Sequence, residues 1–74
     1  MHQEVLVRMA NDIGNFFVGG VTAQEATQGV LTHIRRYWDP RMRKQIIEIY
    51  RAGGEGLADH VRAAVALLAE EKKG

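Results

Sequence analysis

The chain has 74 residues, of which 46% are hydrophobic and 26% charged, with one proline, no cysteine and a formal net charge of +1. A domain this small hides only about 60% of the surface its unfolded chain exposes, and without cysteine it has neither disulfides nor cysteine-ligated zinc or iron–sulfur clusters to brace it. The composition is too apolar for a disordered chain, and so small a net charge supplies no global field toward DNA or an anionic membrane.

Glycine and proline divide the sequence. Gly19-Gly20, Asp39-Pro40 and Gly53-Gly54-Glu55-Gly56 separate four segments, each with a helical period. The first runs from about Gln3 to Phe17. At about 100° per residue, Leu6, Met9, Ile13, Phe16 and Phe17 share one face, and Glu4, Arg8, Asn11, Asp12 and Asn15 gather opposite. Val7, Ala10 and Gly14 make a second face of smaller residues, which suits close approach of another helix.

The second helix opens on Thr22-Ala23-Gln24-Glu25, a capping box in which hydroxyl and carboxylate each take one orphan amide. Its stripe is Ala26, Val30, Ile34, Tyr37 and Trp38, with Leu31 at the edge, and it should end near Trp38. Pro40 disfavours helical backbone at Asp39. Asp39 is then a good N-cap for a third helix, with Pro40 at its first position. That helix reaches about Ala52 on a stripe of Met42, Ile46, Ile49 and Tyr50, with Ile47 toward the flank. Gly53 suits its C-terminal stop. The fourth helix runs from about Leu57 into the charged tail, on Leu57, Val61, Ala64, Val65 and Leu68, with residues 70–74 expected to fray. The expected fold is all-α: one domain over residues 1–74, built as a compact bundle or an orthogonal array of four short amphipathic helices, with a sharp corner at Asp39-Pro40.

Charge concentrates in the middle. Residues 33–51 hold six Arg or Lys against Asp39 and Glu48, whereas both flanking thirds are slightly acidic. From His33 to Lys44, five cations and two aromatics surround the helix corner. Arg, Trp and Tyr in company suit a protein-partner hot spot or phosphate contacts with base stacking; the plain alternative is a solvated basic face beside core aromatics. Tyr37 and Trp38 both fall on the apolar stripe, which assigns them to the core. A helix–turn–helix reader is opposed by the small net charge and by a last helix that is rich in alanine and holds one arginine, Arg62.

The Gly53–Gly56 run follows a helix and carries Glu55, so it reads as a cap and turn, not as a phosphate loop. His2, His33 and His60 have no ligand partners at helical spacing. Serine is absent and the carboxylates are scattered, so no nucleophile–base or acid–base pair suggests catalysis by this chain alone. Val7, Leu31, Ile47 and Leu67 lie off the main stripes, and either form an exposed patch or pack where helices cross. The start, Met-His-Gln-Glu, has no signal-peptide character. The longest apolar run, Ala63–Ala69, is far short of the roughly 20 residues that span a bilayer. A cytoplasmic chain with no membrane contact is expected.

Three segments together resemble a known family. They are Leu6-Val7-Arg8-Met9-Ala10-Asn11-Asp12-Ile13-Gly14-Asn15-Phe16-Phe17; His33 to Arg43, centred on Arg35-Arg36-Tyr37-Trp38-Asp39-Pro40-Arg41-Met42-Arg43; and Gly53-Gly54-Glu55-Gly56-Leu57 with Val61-Arg62 and Ala64-Val65. They look like the delta subunit of the soluble NAD-dependent, molybdenum- or tungsten-containing formate dehydrogenases. The resemblance implies an accessory subunit, not a catalyst. In that family the large alpha subunit holds molybdopterin and iron–sulfur clusters. The beta and gamma subunits carry FMN and further clusters and reduce NAD. The delta subunit aids assembly or stability of the oxidoreductase complex. No catalytic or cofactor-binding residue is carried over. The candidate partner-binding residues are Asn11, Asn15, Arg35, Arg36, Arg41 and Arg43, expected to meet the large catalytic subunit. The alternative is a small nucleic-acid-binding or self-associating regulatory module, the latter a homodimer with a seam at Leu31 and Ile47.

Overall fold

The helix boundaries follow the caps written in the sequence. In the computed structural model, which describes residues 2–73 with side chains through Glu71, α1 spans Gln3–Asn15, α2 Ala23–Tyr37, α3 Pro40–Arg51 and α4 Asp59–Lys73. No strand occurs among the described residues. The capping box of α2 is complete: the Glu25 amide donates to Thr22 Oγ1 at 3.1 Å, and the Thr22 amide donates to Glu25 Oε1 at 2.9 Å. At the head of α3, Asp39 Oδ1 accepts from the Met42 amide at 2.9 Å and Pro40 occupies the first turn. The end of α3 is a Schellman turn, with the Gly54 amide bonded to the Ile49 carbonyl at 2.9 Å and the Gly53 amide to that of Tyr50 at 3.0 Å. Gly53 and Gly54 have φ of 124° and 63°, which a residue with a Cβ rarely adopts. The Gly53–Gly56 run is therefore a cap and turn.

The most extensive seam joins α2 to α4. These helices run parallel: Ala26 and Ala63 line one hollow near their N-termini, and Arg35 meets Glu71 near their C-termini. Helix α4 also packs on α3 and α1, and α1 touches all three others. Consecutive α2 and α3 barely meet. Extended backbone at Trp38 and Asp39 (ψ 136° and 166°) turns the chain sharply before Pro40. An up-and-down bundle would pair sequential neighbours along their length. This chain instead forms a nearly isometric helical array of 31 × 27 × 22 Å with a radius of gyration of 11.1 Å.

The core unites Leu6, Ala10 and Ile13 of α1, Val30, Leu31 and Ile34 of α2 with Trp38 at its end, Ile46, Ile47 and Ile49 of α3, and Leu57, Val61, Ala64, Val65, Leu68 and Ala69. The expected stripe of α4 is buried throughout. The small face of α1 permits close approach as its composition suggested: a Cβ added at Gly14 would lie 2.5 Å from Val61 Cγ2.

Three expectations are corrected. Phe16 is 83% exposed: it is the C-cap of α1, and its neighbour Phe17, not Phe16, is the ring that packs on α2 at Gly29. Tyr37 is 68% exposed: it is the last residue of α2, and the turn delivers Trp38 to the core in its place. Leu31 and Ile47 are only 2% and 3% exposed. Each helix meets more than one neighbour, so its buried face is wider than a single stripe, and a homodimer seam at Leu31 and Ile47 is overturned. Helix α4 starts at Asp59, two residues after Leu57, and runs through Lys73. The fraying expected at residues 70–74 falls partly on Lys72, Lys73 and Gly74, whose side chains lie outside the described residues.

Candidate functional site

The basic corner divides into engaged and free cations. Arg35 Nε donates to Glu71 Oε1 at 3.0 Å and its Nη2 pairs with Oε2, a two-pronged contact between α2 and α4. The Arg35 bond holds the Glu71 carboxyl below its ordinary value of 4.5, and Glu71 in turn raises the Arg35 guanidinium. Arg43 Nη1 donates to the Arg35 carbonyl at 3.2 Å, strapping the start of α3 to the end of α2. Pro40, Ile47 and Leu68 complete a hollow of about 180 Å³ beside these groups. Arg36 and Arg41 are exposed and make no side-chain hydrogen bond or ion pair among the described residues.

Asn11 lies elsewhere. Its Nδ2 donates to the Gly56 carbonyl at 2.9 Å, and its Oδ1 accepts from the Ala58 amide at 3.0 Å. One amide side chain thus clips α1 to the entry of α4. At about 1.5 Å rise per residue, the 13 residues from Ala58 to Glu71 place Asn11 and Arg35 roughly 20 Å apart along α4. Asn15 is exposed at the end of α1. The structure does not gather Asn11, Asn15, Arg35, Arg36, Arg41 and Arg43 into one patch. Nor are all the basic side chains free for phosphates: Arg62 is occupied, its Nη1 and Nη2 donating to the Gly53 and Gly54 carbonyls at 2.7 and 2.8 Å.

A second surface combines Phe16, Phe17 and Tyr37, which helical periodicity assigns to apolar stripes, with Val18 and Val21 of the connection. Among the described residues, six large hydrophobic side chains are exposed, and four of them, Phe16, Val18, Val21 and Tyr37, belong to the α1–α2 connection or the end of α2. Half-buried Phe17 lies between them. Its ring rests on α2 at Gly29, where an added Cβ would come within 2.5 Å of it. Phe17, Gly29, His33, Arg36 and Tyr37 line a shallow groove of about 350 Å³. Phe17, Val18 and Val21 continue into a neighbouring hollow of about 390 Å³. His33 and Tyr37 stack one helical turn apart, with ring centroids 4.7 Å apart and planes tilted by 46°. The signal in the sequence was the count of apolar residues around Gly19-Gly20; what it lacked was the end point of α1.

No three His, Asp or Glu side chains come together as a metal-holding group among the described residues. Among the described residues, no helix is long and apolar enough to cross a membrane. Fold and surface together define a small all-α chain whose distinctive exterior features are an exposed apolar patch and a local basic corner. The family model for the NADH-dependent formate dehydrogenase delta subunit, FdsD, matches residues 5–65, from α1 into α4. The chain belongs to this delta subunit family. No curated protein and no solved structure matches it.

Proposed function

We propose that the chain is a non-catalytic accessory subunit of a cytoplasmic NAD-dependent formate dehydrogenase, which binds the large catalytic subunit and aids assembly or stability of the complex. Family membership across residues 5–65 carries this reading. The exterior supports it, since an exposed apolar patch bordered by arginine suits protein contact. In this reading the partner subunits hold the molybdopterin, the iron–sulfur clusters and the FMN and reduce NAD, and this chain holds no cofactor. Of the six candidate residues, Arg36, Arg41 and Asn15 keep their side chains toward solvent and are the ones available to a partner. Arg35 and Arg43 shape the corner, and Asn11 shapes the entry to α4.

The test is affinity purification of the tagged chain from its native host at moderate salt, with the co-eluting proteins identified by mass spectrometry. Recovery of the formate dehydrogenase catalytic subunit with its flavin-bearing partners is the expected result. Recovery of the chain alone, or of nucleic acid, would overturn the reading.

A further inference from the structure

We infer that the chain grips its partner through the Phe16–Val21 connection and the adjoining Phe17–Tyr37 groove, and that the occupant is a segment of the catalytic subunit presenting apolar side chains and at least one carboxylate. The inference rests on the accessory-subunit reading and locates its interface away from the Arg35–Arg43 corner. Among the described residues, four of the six exposed large hydrophobics lie in the α1–α2 connection or at the end of α2; Val18, Val21 and Tyr37 line one or other of two hollows that Phe17 joins, and Phe16 precedes Phe17 directly. The fold has a use for the buried apolar residues, but none for Phe16, Val18, Val21 and Tyr37, which it leaves in water. Covering them releases that water, the main driving force for association.

Charge sets the chemistry of the occupant. Arg36 borders the Phe17–Tyr37 groove, which no Asp or Glu lines; the one carboxylate of the adjoining hollow is Asp59, and Arg36 has no acidic partner among the described residues. An apolar segment alone would strip water from this guanidinium without compensation, a heavy cost. A carboxylate on the segment would pair with Arg36 and fix its register. The corner makes the contrast. There Arg35 already has Glu71, Arg43 already has a backbone carbonyl, and Arg41, though without a side-chain partner among the described residues, does not line the hollow beside them. His33, stacked on Tyr37, holds that ring along the groove wall.

Three tagged variants are compared with the wild-type chain in the host purification: the double substitution Phe16→Ser with Tyr37→Ser, then Arg36→Glu, then Arg36→Lys. Both aromatics are mostly exposed, so each variant should melt cooperatively at nearly the wild-type temperature, checked by circular dichroism. Loss of aromatic anchors at the centre of an interface weakens binding by about 30-fold or more. The catalytic subunit retained by the Phe16/Tyr37 and Arg36→Glu variants should fall accordingly, while Arg36→Lys keeps much of it. Wild-type capture together with equal capture by the aromatic variant overturns this location. Equal capture by Arg36→Glu overturns the acidic occupant. If the wild-type chain captures no formate dehydrogenase subunit, the accessory-subunit reading fails first. A wild-type homodimer by sedimentation that the aromatic variant abolishes would assign the face to a second copy instead.

Discussion

Asn11 is a polar residue on the wet side of α1 by periodicity, and in the fold it makes two tertiary hydrogen bonds. Asn11→Ala leaves the Gly56 carbonyl and the partly buried Ala58 amide unpartnered, a loss of about 1–3 kcal/mol that urea denaturation would measure. Asn11→Asp keeps the acceptor for Ala58 and should fall between the two. Gly14 offers a test in which two effects oppose each other. Helix propensity favours Gly14→Ala by about 1 kcal/mol, but the new methyl would meet Val61 at 2.5 Å and His60 Nε2, itself bonded to the Gly14 carbonyl, at 2.7 Å. Overpacking of this kind costs about 1–3 kcal/mol, so the variant should melt below wild type; a higher melting temperature would mean that α4 yields easily. Glu71 gives a pH dependence. Its carboxyl is held down by Arg35, so the folded state binds its proton less readily than the unfolded one. The stability it contributes is present above the ordinary value of 4.5 and is lost as pH falls through the lower folded value. The melting-temperature gap between wild type and Glu71→Gln should be small at neutral pH, because the pair is exposed, and should close in acid.

At the scale of elements, the caps were legible because they are local. Thr22 with Glu25, Asp39 with Pro40, and Gly53 each act within a few residues, and each stands where the sequence put it. The faces were only half legible. A single stripe suits a helix with one neighbour, whereas α2 packs on both α1 and α4 and draws Leu31 inward. Helix α3 likewise uses Ile46, Ile47 and Ile49, and leaves Met42 and Tyr50 half-buried at the margin. Ile47→Ala should therefore destabilise as much as Ile46→Ala, by about 2–5 kcal/mol each. A mild effect at Ile47 alone in thermal denaturation would restore the single-stripe picture. The candidate surface was the least legible part, because it depends on where each helix ends and which aromatic the following turn carries inward. Phe16 and Tyr37 are each displaced from the core by one residue of chain, and periodicity cannot resolve one residue.

At the scale of the whole molecule, the family resemblance was readable from three separated motifs, and the family match runs across them. The fold explains part of that separation. Asn11 from the first motif bonds Gly56 and Ala58 in and beside the third, Arg62 closes the Gly53-Gly54 turn, and Arg43 ties back onto Arg35 within the central one. Several of the residues that carry the resemblance thus hold the helices to one another, which leaves contact with a partner to the exposed remainder. Val18 to Val21 belong to no helix, and their amides make no hydrogen bond among the described residues. The most direct measurement is hydrogen exchange by mass spectrometry on the free chain and on the chain within the purified formate dehydrogenase complex. Residues 18–21 should exchange fast in the free chain and become protected in the complex, with little change at the Pro40–Arg43 corner. Protection confined to that corner, or none in residues 18–21, would contradict the account.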